Sequence, residues 1–307
     1  MSIPTPNNTV AQQPLKADFL MLLVTLLAAA GWMFSKEALA GLPPLLFIGI
    51  RFFLAGVVLA AACGPTLISM PWALWRQALM VGCTFSAAML FWIHGLFYGT
   101  HIGEGAFITS LGVVLIPIFS RWIFNEKPPL STWLALPVAV AGFGFLSLRG
   151  GFSLEKGQFF FLMAALIFAV HFNLNTRVVA KIPAIALTAI QLTVVGIVAF
   201  CLSAATEPWP VAVKLSIWGW LLASALIATA MRFFIQTYAQ GLTPASHAAV
   251  ILTIEPVWTA LLAGLWFGEG MTHTQIIGCS LIFTALLVNR WKWVKLAFTS
   301  IFRHRSA

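Results

Sequence analysis

Long apolar runs without charge are the feature that most constrains how this chain can fold. Residues 20–35 and 56–75 contain no Asp, Glu, Lys or Arg. About 20 apolar residues suffice for a helix to cross the ~30 Å hydrocarbon core of a bilayer. Of the 307 residues 61% are apolar and 8% are charged, whereas a soluble domain has about 25% charged residues. The sequence therefore predicts a membrane protein and excludes a soluble globular domain.

Charge and motif content exclude several other classes of protein. The net charge of +9 is spread between apolar runs and clusters only near the C-terminus, so we interpret it as membrane charge asymmetry and predict no nucleic-acid partner. GxxxxGK[ST], HExxH and GxSxG do not occur, which disfavours ATP hydrolysis and intramembrane catalysis. We expect neither an enzyme nor a bound cofactor. The cysteines lack the spacing of a disulfide framework or a metal site; they are Cys63, Cys83, Cys201 and Cys279.

Short polar or Pro/Gly breaks divide the chain into ten apolar segments. Because the segments lack the period-2 alternation of a barrel, each is predicted to be a helix. The predicted fold class is an all-α membrane protein with ten transmembrane helices. The predicted spans are residues 17–40, 43–63, 72–98, 104–124, 129–148, 157–180, 183–206, 214–240, 244–267 and 272–292.

An even number of spans places both termini on one side of the membrane. With that side cytosolic, eleven Lys and Arg lie in cytoplasmic segments, three lie outside and three lie within spans. Positive residues concentrate in the cytosol, so we predict a cytoplasmic N-terminal segment (1–16) and a basic cytoplasmic tail (293–307). The first apolar stretch is too long for a signal peptide, and we interpret it as a retained helix.

The two halves of the chain resemble each other. Ala106 precedes Pro117 by eleven residues, and Ala245 precedes Pro256 by the same interval. Five spans per half require opposite orientations, as in the inverted repeats of secondary transporters, whose solute site lies near the midplane between the repeats. The predicted domains are a first five-helix repeat (17–148), a periplasmic linker (149–156) and a second five-helix repeat (157–292).

Several motifs together resemble EamA-type members of the drug/metabolite transporter superfamily. The resemblance spans roughly residues 17–292 and implies ten helices, cytoplasmic termini and export of small metabolites across a bacterial inner membrane. It does not identify the solute. The motifs are Ser35-Lys36, Arg51-Phe52, Asn125-Glu126-Lys127, Met231 through Gln240, Thr243-Pro244-Ala245, Glu255-Pro256 and Gly268-Glu269.

Polar side chains within the spans are candidates for function, because a charge at the bilayer centre costs at least ~2.5–3.5 kcal/mol. Arg51 and Glu255 are predicted at similar depth, which suggests a pair across the halves; alternatively, backbone carbonyls, hydroxyls or water satisfy each. Glu255 is also the candidate proton or coupling-ion site. Arg232, Gln236 and Gln240 form a polar stripe that should turn inward to protein or water, although for Arg232 reach to the cytoplasmic headgroups is favoured. The candidate solute-binding residues are Trp32, Lys36, Arg51, His94, His171, Asn175 and Gln236.

Each candidate also has a purely structural interpretation. Trp32 is equally explained as an interfacial or packing residue, and His171 with Asn175 as an interhelical hydrogen-bonding pair. Pro117 and Pro256 are predicted helix bends at equivalent positions of the two halves. The small-residue spacings Gly95-xxx-Gly99 and Gly264-xxx-Gly268 predict close helix packing or, alternatively, places where gating helices slide.

These observations favour a secondary transporter that works by alternating access. The ionisable residues within the spans carry a slight positive excess amid many aromatic side chains. This composition suits a small amphipathic solute with a carboxylate, such as an amino acid or a related metabolite. The expected partners are this solute, membrane lipid and protons. A facilitative, channel-like permease is the alternative, and an intramembrane enzyme is much less favoured.

Overall fold

A computed structural model describes residues 9–125, 127, 130–147, 155–242 and 251–289, and these ranges contain helices and no strand. One further helical turn, Pro65–Ile68, lies between the second and third helices. The helices are α1 (Thr9–Leu39), α2 (Pro44–Cys63), α3 (Trp72–Tyr98), α4 (Ile102–Phe124), α5 (Leu130–Ser147), α6 (Lys156–Val178), α7 (Ala184–Thr206), α8 (Leu215–Leu242), α9 (Glu255–Phe267) and α10 (His273–Asn289).

Local chemistry explains where the helices begin and end. Pro43 and Pro183 immediately precede α2 and α7, where a residue that lacks an N–H costs no helical hydrogen bond. Glu155 starts α6 with a reciprocal capping box that includes the side chain of Gln158, which satisfies orphan backbone donors. Asn125, with φ of 56°, adopts the left-handed conformation that ends α4.

The predicted all-helical membrane class is confirmed, because seven of the described helices are long and apolar enough to cross a membrane. Two shorter apolar stretches, Leu130–Phe145 and His273–Val288, lie in α5 and α10. The predicted ninth span corresponds in part to α9, and its residues 244–250 lie outside the described ranges. The total of ten spans therefore stays a prediction.

Two features differ from the sequence-based expectation. Helix α1 begins at Thr9, eight residues before the predicted start of the first span. Helix α8 contains a π-helical turn, Leu226–Met231, in which the hydroxyl of Thr229 donates to the carbonyl of Ser224, five residues earlier, at 2.8 Å. Residues 149–154 of the predicted linker and the whole predicted tail lie outside the described part of the chain.

Most helix contacts keep the same pattern when the first five helices are exchanged with the last five. Helix α3 packs on α6 and α7, and correspondingly α8 packs on α1 and α2. In the same way, α4 packs on α6 while α9 packs on α1. In three further packed pairs, each helix packs on its own counterpart in the other half: α2 on α7, α4 on α9 and α5 on α10. This pattern is consistent with the predicted two-fold relation between the halves.

The crossing of α2 and α7 is reciprocal at the level of single residues. A Cβ placed on Gly56 would meet the backbone of Thr193, and a Cβ placed on Gly196 would meet the backbone of Phe53. Glycine is required at both positions, because any side chain would separate the helices. The offset is 140 residues in both cases, from Gly56 to Gly196 and from Phe53 to Thr193. The inverted repeat stays a prediction, and this contact is consistent with it.

Candidate functional site

A cavity of about 160 Å³ lies between α1, α2, α3, α4, α6, α8 and the start of α9. Its volume is close to that of an engineered cavity of about 150 Å³ that holds benzene. Both predicted halves contribute to its walls. Of the residues predicted from the sequence, the cavity brings together Trp32, Arg51, His171, Gln236, Glu255 and Pro256.

The charged centre of the cavity is an ion pair within the second half of the chain. Arg232 Nη2 lies 3.5 Å from Glu255 Oε2, and the two side chains are 15% and 22% exposed. The indole N–H of Trp32 donates to Glu255 Oε1 at 3.3 Å. The predicted pair between Arg51 and Glu255 is therefore not formed. The prediction that Arg232 reaches the headgroups is also wrong, because this side chain lines the cavity.

Arg51 is fixed by neutral partners. Its guanidinium donates to the hydroxyls of Ser35, at 2.7 Å, and Thr229, and to the carbonyl of Ala228 at 3.4 Å. The π-helical turn supplies both Thr229 and Ala228, and π-turns occur frequently at functional sites. This is the alternative in which hydroxyls and carbonyls satisfy Arg51, which is only 4% exposed.

A second polar group, behind the cavity wall, joins α6, α7 and α8. His171 Nε2 lies 2.8 Å from Gln191 Oε1; because an amide oxygen only accepts, this nitrogen is the donor. Gln191 donates to Asn175 at 2.9 Å, and Asn175 donates to Gln240 at 2.7 Å. Asn175 therefore takes part in interhelical hydrogen bonding and does not line the cavity. His171 does line the cavity, and the chain of amides holds its imidazole in place through Gln191.

Two buried polar atoms at the cavity have no hydrogen-bond partner within the described part of the chain. They are the Nε of Arg232 and the Oε1 of Gln236. Buried polar groups in native proteins are nearly always paired. One donor and one acceptor are thus left for a solute or water, one helical turn apart on α8.

Aromatic rings form the apolar part of the cavity wall. The rings of Trp32 and Trp92 meet edge to face, with their centroids 4.9 Å apart. Phe85 stacks on His171 with a centroid distance of 4.6 Å. Phe233 contacts Phe85 at 5.0 Å and lies beneath the guanidinium of Arg232. The sequence alone does not identify Phe85, Trp92 and Phe233 as site residues, because aromatic residues recur throughout the spans and nothing local distinguishes these three.

Two predicted solute-binding residues lie elsewhere. Lys36 donates to the carbonyls of Leu96 and Gly99, both at 3.3 Å, at the end of α3. The Nδ1 of His94 lies 2.7 Å from the carbonyl of Leu90, and its ring stacks near Phe160. The structure places neither side chain on the cavity wall.

The two predicted bends differ from each other. Pro117 is buried within α4, which continues through it. Pro256 stands in the first turn of α9, after a break at residues 253–254, and lines the cavity.

The packing predicted for Gly264 and Gly268 is wrong. A Cβ on Gly264 would meet only the carbonyl of Glu269, and Gly268 has a φ of 66° in open space, where it ends the helix.

The apolar helices and the charged cavity between them define a membrane protein with an internal site for a small solute. Comparison with known proteins agrees. The EamA-like transporter family matches residues 15–148 and 155–291, so the chain belongs to this family. It is therefore a transporter and not an enzyme, and the resemblance drawn from the motifs is confirmed.

The relatives carry no more specific description. An uncharacterized transporter of Archaeoglobus fulgidus is 28% identical over 276 residues, which are 89% of this chain and 85% of the relative. The uncharacterized transporter YvbV of Bacillus subtilis is 24% identical, over 89% of this chain and 92% of its own length. A solved crystal structure matches 91% of this chain and 98% of its own, with a TM-score of 0.66 and 22% identity, and shares the fold.

Proposed function

We propose that the protein is a secondary transporter that exports a small solute with a carboxylate, such as an amino acid, across a bacterial inner membrane. The observation that carries this proposal is the cavity between the helices, whose charged residues are Arg51, Arg232 and Glu255. Their formal charges leave an excess of one positive charge. A solute carboxylate would neutralise this excess.

The arrangement of these groups favours an amphipathic solute. Arg232 offers an unpartnered Nε and an ion-paired Nη2, and Gln236 offers an unpartnered carbonyl oxygen, within the described part of the chain. A solute carboxylate binds Arg232, and a donor group such as an ammonium binds Gln236 or Glu255. The aromatic wall around Phe85 covers the apolar part of the solute. A cavity of about 160 Å³ limits the solute to the size of a small metabolite.

Alternating access is proposed because helices from both halves enclose one site. The family matches two stretches of the chain, and the reciprocal packing of Gly56 and Gly196 supports a two-fold relation between them. Rocking of one repeat against the other around a fixed site is the general mode of such carriers. The termini are proposed to be cytoplasmic on the basis of the charge asymmetry. Glu255 remains the candidate for proton coupling at the solute site.

Counterflow in liposomes tests this function. Purified protein is reconstituted in liposomes preloaded with unlabelled amino acids, organic acids or nucleosides, and uptake of the labelled solute is followed. We expect saturable counterflow of a solute with a carboxylate, and at least a tenfold loss in Arg232→Gln. Arg76→Gln is the matched control, because Arg76 is exposed at the start of α3.

Two results would contradict the proposal. Counterflow restricted to solutes without a carboxylate would exclude the charge argument. A large flux that does not saturate would favour the channel-like permease.

A further inference from the structure

The imidazole of His171 is held with its hydrogen on Nε2. This nitrogen donates to the side-chain oxygen of Gln191 at 2.8 Å. The amide of Gln191 is oriented in turn, because its NH₂ group donates to Asn175 at 2.9 Å, and Asn175 donates to Gln240 at 2.7 Å. The bond that one ring nitrogen makes decides which nitrogen carries the hydrogen. In a neutral imidazole the other nitrogen, Nδ1, is then an acceptor.

The surroundings of this ring favour its neutral form. Phe85 stacks on it with a centroid distance of 4.6 Å. Within the described ranges, the ring forms no ion pair with a carboxylate, and a buried cation without a partner is costly. Arg232 lines the same cavity and would repel a positive charge on the ring. His171 therefore presents a lone pair at Nδ1 and not a second N–H.

The lone pair of Nδ1 is accessible from the cavity. His171 lines the cavity, whereas Gln191, which binds the other ring nitrogen, does not. No residue in the described part of the chain forms a hydrogen bond with Nδ1, and this atom is not one of the enclosed polar atoms without a partner. An acceptor that is neither paired nor enclosed is available to a solute or to water.

Helices α6 and α8 run in the same direction beside each other at this point. The hydrogen bond between Asn175 and Gln240 joins them at one level. One to two turns earlier on both helices, the ring of Phe85 contacts His171 on α6 and Phe233 on α8, with centroid distances of 4.6 and 5.0 Å. His171 is therefore level with the turn of α8 that begins at Phe233.

Gln236 belongs to this turn and also lines the cavity. Its side-chain oxygen is enclosed and has no partner within the described ranges. A buried acceptor without a partner is costly. Since no hydrogen bond from the described part of the chain holds the amide, rotation about its last bond can turn the oxygen to a donor in the cavity. We name His171 Nδ1 and Gln236 Oε1 the acceptor pair.

We propose that the acceptor pair binds the amino group of the solute, with Glu255 as its charged counterpart. The proposal rests on the proposed function and narrows the substrate class to amino acids with an unsubstituted amino group. An ammonium has three N–H donors and so matches the two acceptors and the carboxylate, whereas a hydroxyl donates once. His171 is thereby the residue that separates amino acids from other organic acids.

The position of Arg232 fits an amino group next to the carboxylate. Arg232 holds the carboxylate in the proposed function, and Gln236 lies one turn further along α8. Side chains one turn apart have Cβ atoms about 5–6 Å apart. In an α-amino acid a single carbon atom separates the carboxylate from the ammonium, so both groups reach their partners at once. A solute with its amino group at the far end of a long chain would reach only one of them.

The protonation of the ring is measured first, without a solute. Protein with isotopically labelled histidine is studied in nanodiscs at neutral pH by nitrogen NMR, which distinguishes a protonated ring nitrogen from an unprotonated one. His171→Phe keeps a ring against Phe85 and identifies the signals of His171 by their loss; His171→Gln serves if this variant is not monodisperse. We expect Nε2 to be protonated and Nδ1 unprotonated. The opposite tautomer, or two protonated nitrogens, would overturn the proposal.

Calorimetric binding to purified protein then measures the selectivity. Each standard amino acid with an apolar side chain is compared with the acids in which a hydroxyl or a hydrogen replaces the amino group. We expect the amino acid that binds most tightly to exceed both counterparts at least tenfold, the factor that corresponds to one hydrogen bond to a charged group. This ratio should fall about tenfold in His171→Phe. His94→Phe is the matched control, because His94 lies within α3 and outside the cavity, and it should keep the ratio of the parent.

A pair of variants tests the second acceptor and does not depend on His171→Phe. Gln236→Leu removes the acceptor and should lower the preference for the amino acid severalfold. Gln236→Glu keeps an acceptor and should keep the preference. Equal preference in Gln236→Leu and the parent would remove Gln236 from the proposed site.

The outcomes separate this proposal from the proposed function. Equal affinity for an amino acid and its two counterparts would overturn the acceptor pair, while transport of a solute with a carboxylate would stand. Unchanged selectivity in His171→Phe would overturn it as well. Absence of both binding and counterflow for every carboxylate tested would refute the proposed function, and with it this choice of substrate class.

Discussion

The ion pair at the cavity leads to a quantitative prediction for a double-mutant cycle. At 3.5 Å and an effective dielectric constant of ~20, the attraction between Arg232 and Glu255 is about 5 kcal/mol. Desolvation and partial exposure offset part of this energy. We therefore expect a coupling energy of about 1–3 kcal/mol in the cycle of Arg232→Gln, Glu255→Gln and the double variant.

The sign of the effect follows from what each variant leaves behind. Either single variant leaves one buried charge without its partner, whereas the double variant leaves none. The double variant should therefore be more stable than the two single losses predict. Unfolding in detergent, followed by tryptophan fluorescence, measures this difference; 1 kcal/mol corresponds to about 2–4 °C for a domain somewhat smaller than this chain.

Transport separates a structural pair from a functional one. We expect counterflow to be lost in both single variants and in the double variant, although the double variant recovers stability. Recovery of counterflow in the double variant would show that the pair serves folding alone. Strictly additive losses of stability would refute the inference that the two charges interact in the folded protein.

Two further predictions concern the anchoring of Arg51. Thr229→Val removes the hydroxyl that accepts from Arg51, and we expect thermal unfolding to show a loss of about 1–3 kcal/mol, while Thr229→Ser stays near the parent. Gly31→Ala would place its Cβ 2.8 Å from that of Ala228, beside the same guanidinium, and should lower the melting temperature and the counterflow rate. Gly219→Ala, with nothing within 4 Å, should be neutral or stabilising; equal losses in Gly31→Ala and Gly219→Ala would contradict the packing argument.

Composition and spacing predicted the parts of this site that depend on which residues a helix contains. Polar or interfacial side chains within apolar spans are costly or unusual. Of the residues predicted on this ground, Trp32, Arg51, His171, Gln236 and Glu255 lie on the cavity, whereas Lys36, His94 and Asn175 do not. The depth of a residue follows from its count along a straight helix. This reasoning needs no tertiary contact.

Partner choice could not be predicted in the same way, because it depends on how each helix is rotated about its axis. Arg232 follows directly after the π-helical turn of α8. One residue inserted into an α-helix rotates all later side chains by about 100°. Arg232 thereby faces Glu255, while Arg51 finds two of its three acceptors, Thr229 and Ala228, on the turn itself. A regular helical wheel contains no sign of this rotation.

The proposed repeat and the proposed solute together explain why the two halves differ at the cavity. The offset of 139 residues that relates Pro117 to Pro256 also relates Trp32 to His171 and Ile116 to Glu255. Five of these residues line the cavity: Trp32, His171, Ile116, Glu255 and Pro256. Positions paired by the predicted repeat therefore carry unlike chemistry: an indole is paired with an imidazole, and an aliphatic chain with a carboxylate. A symmetric solute would gain nothing from this difference, whereas a solute with one charged end and one apolar end binds in a single orientation.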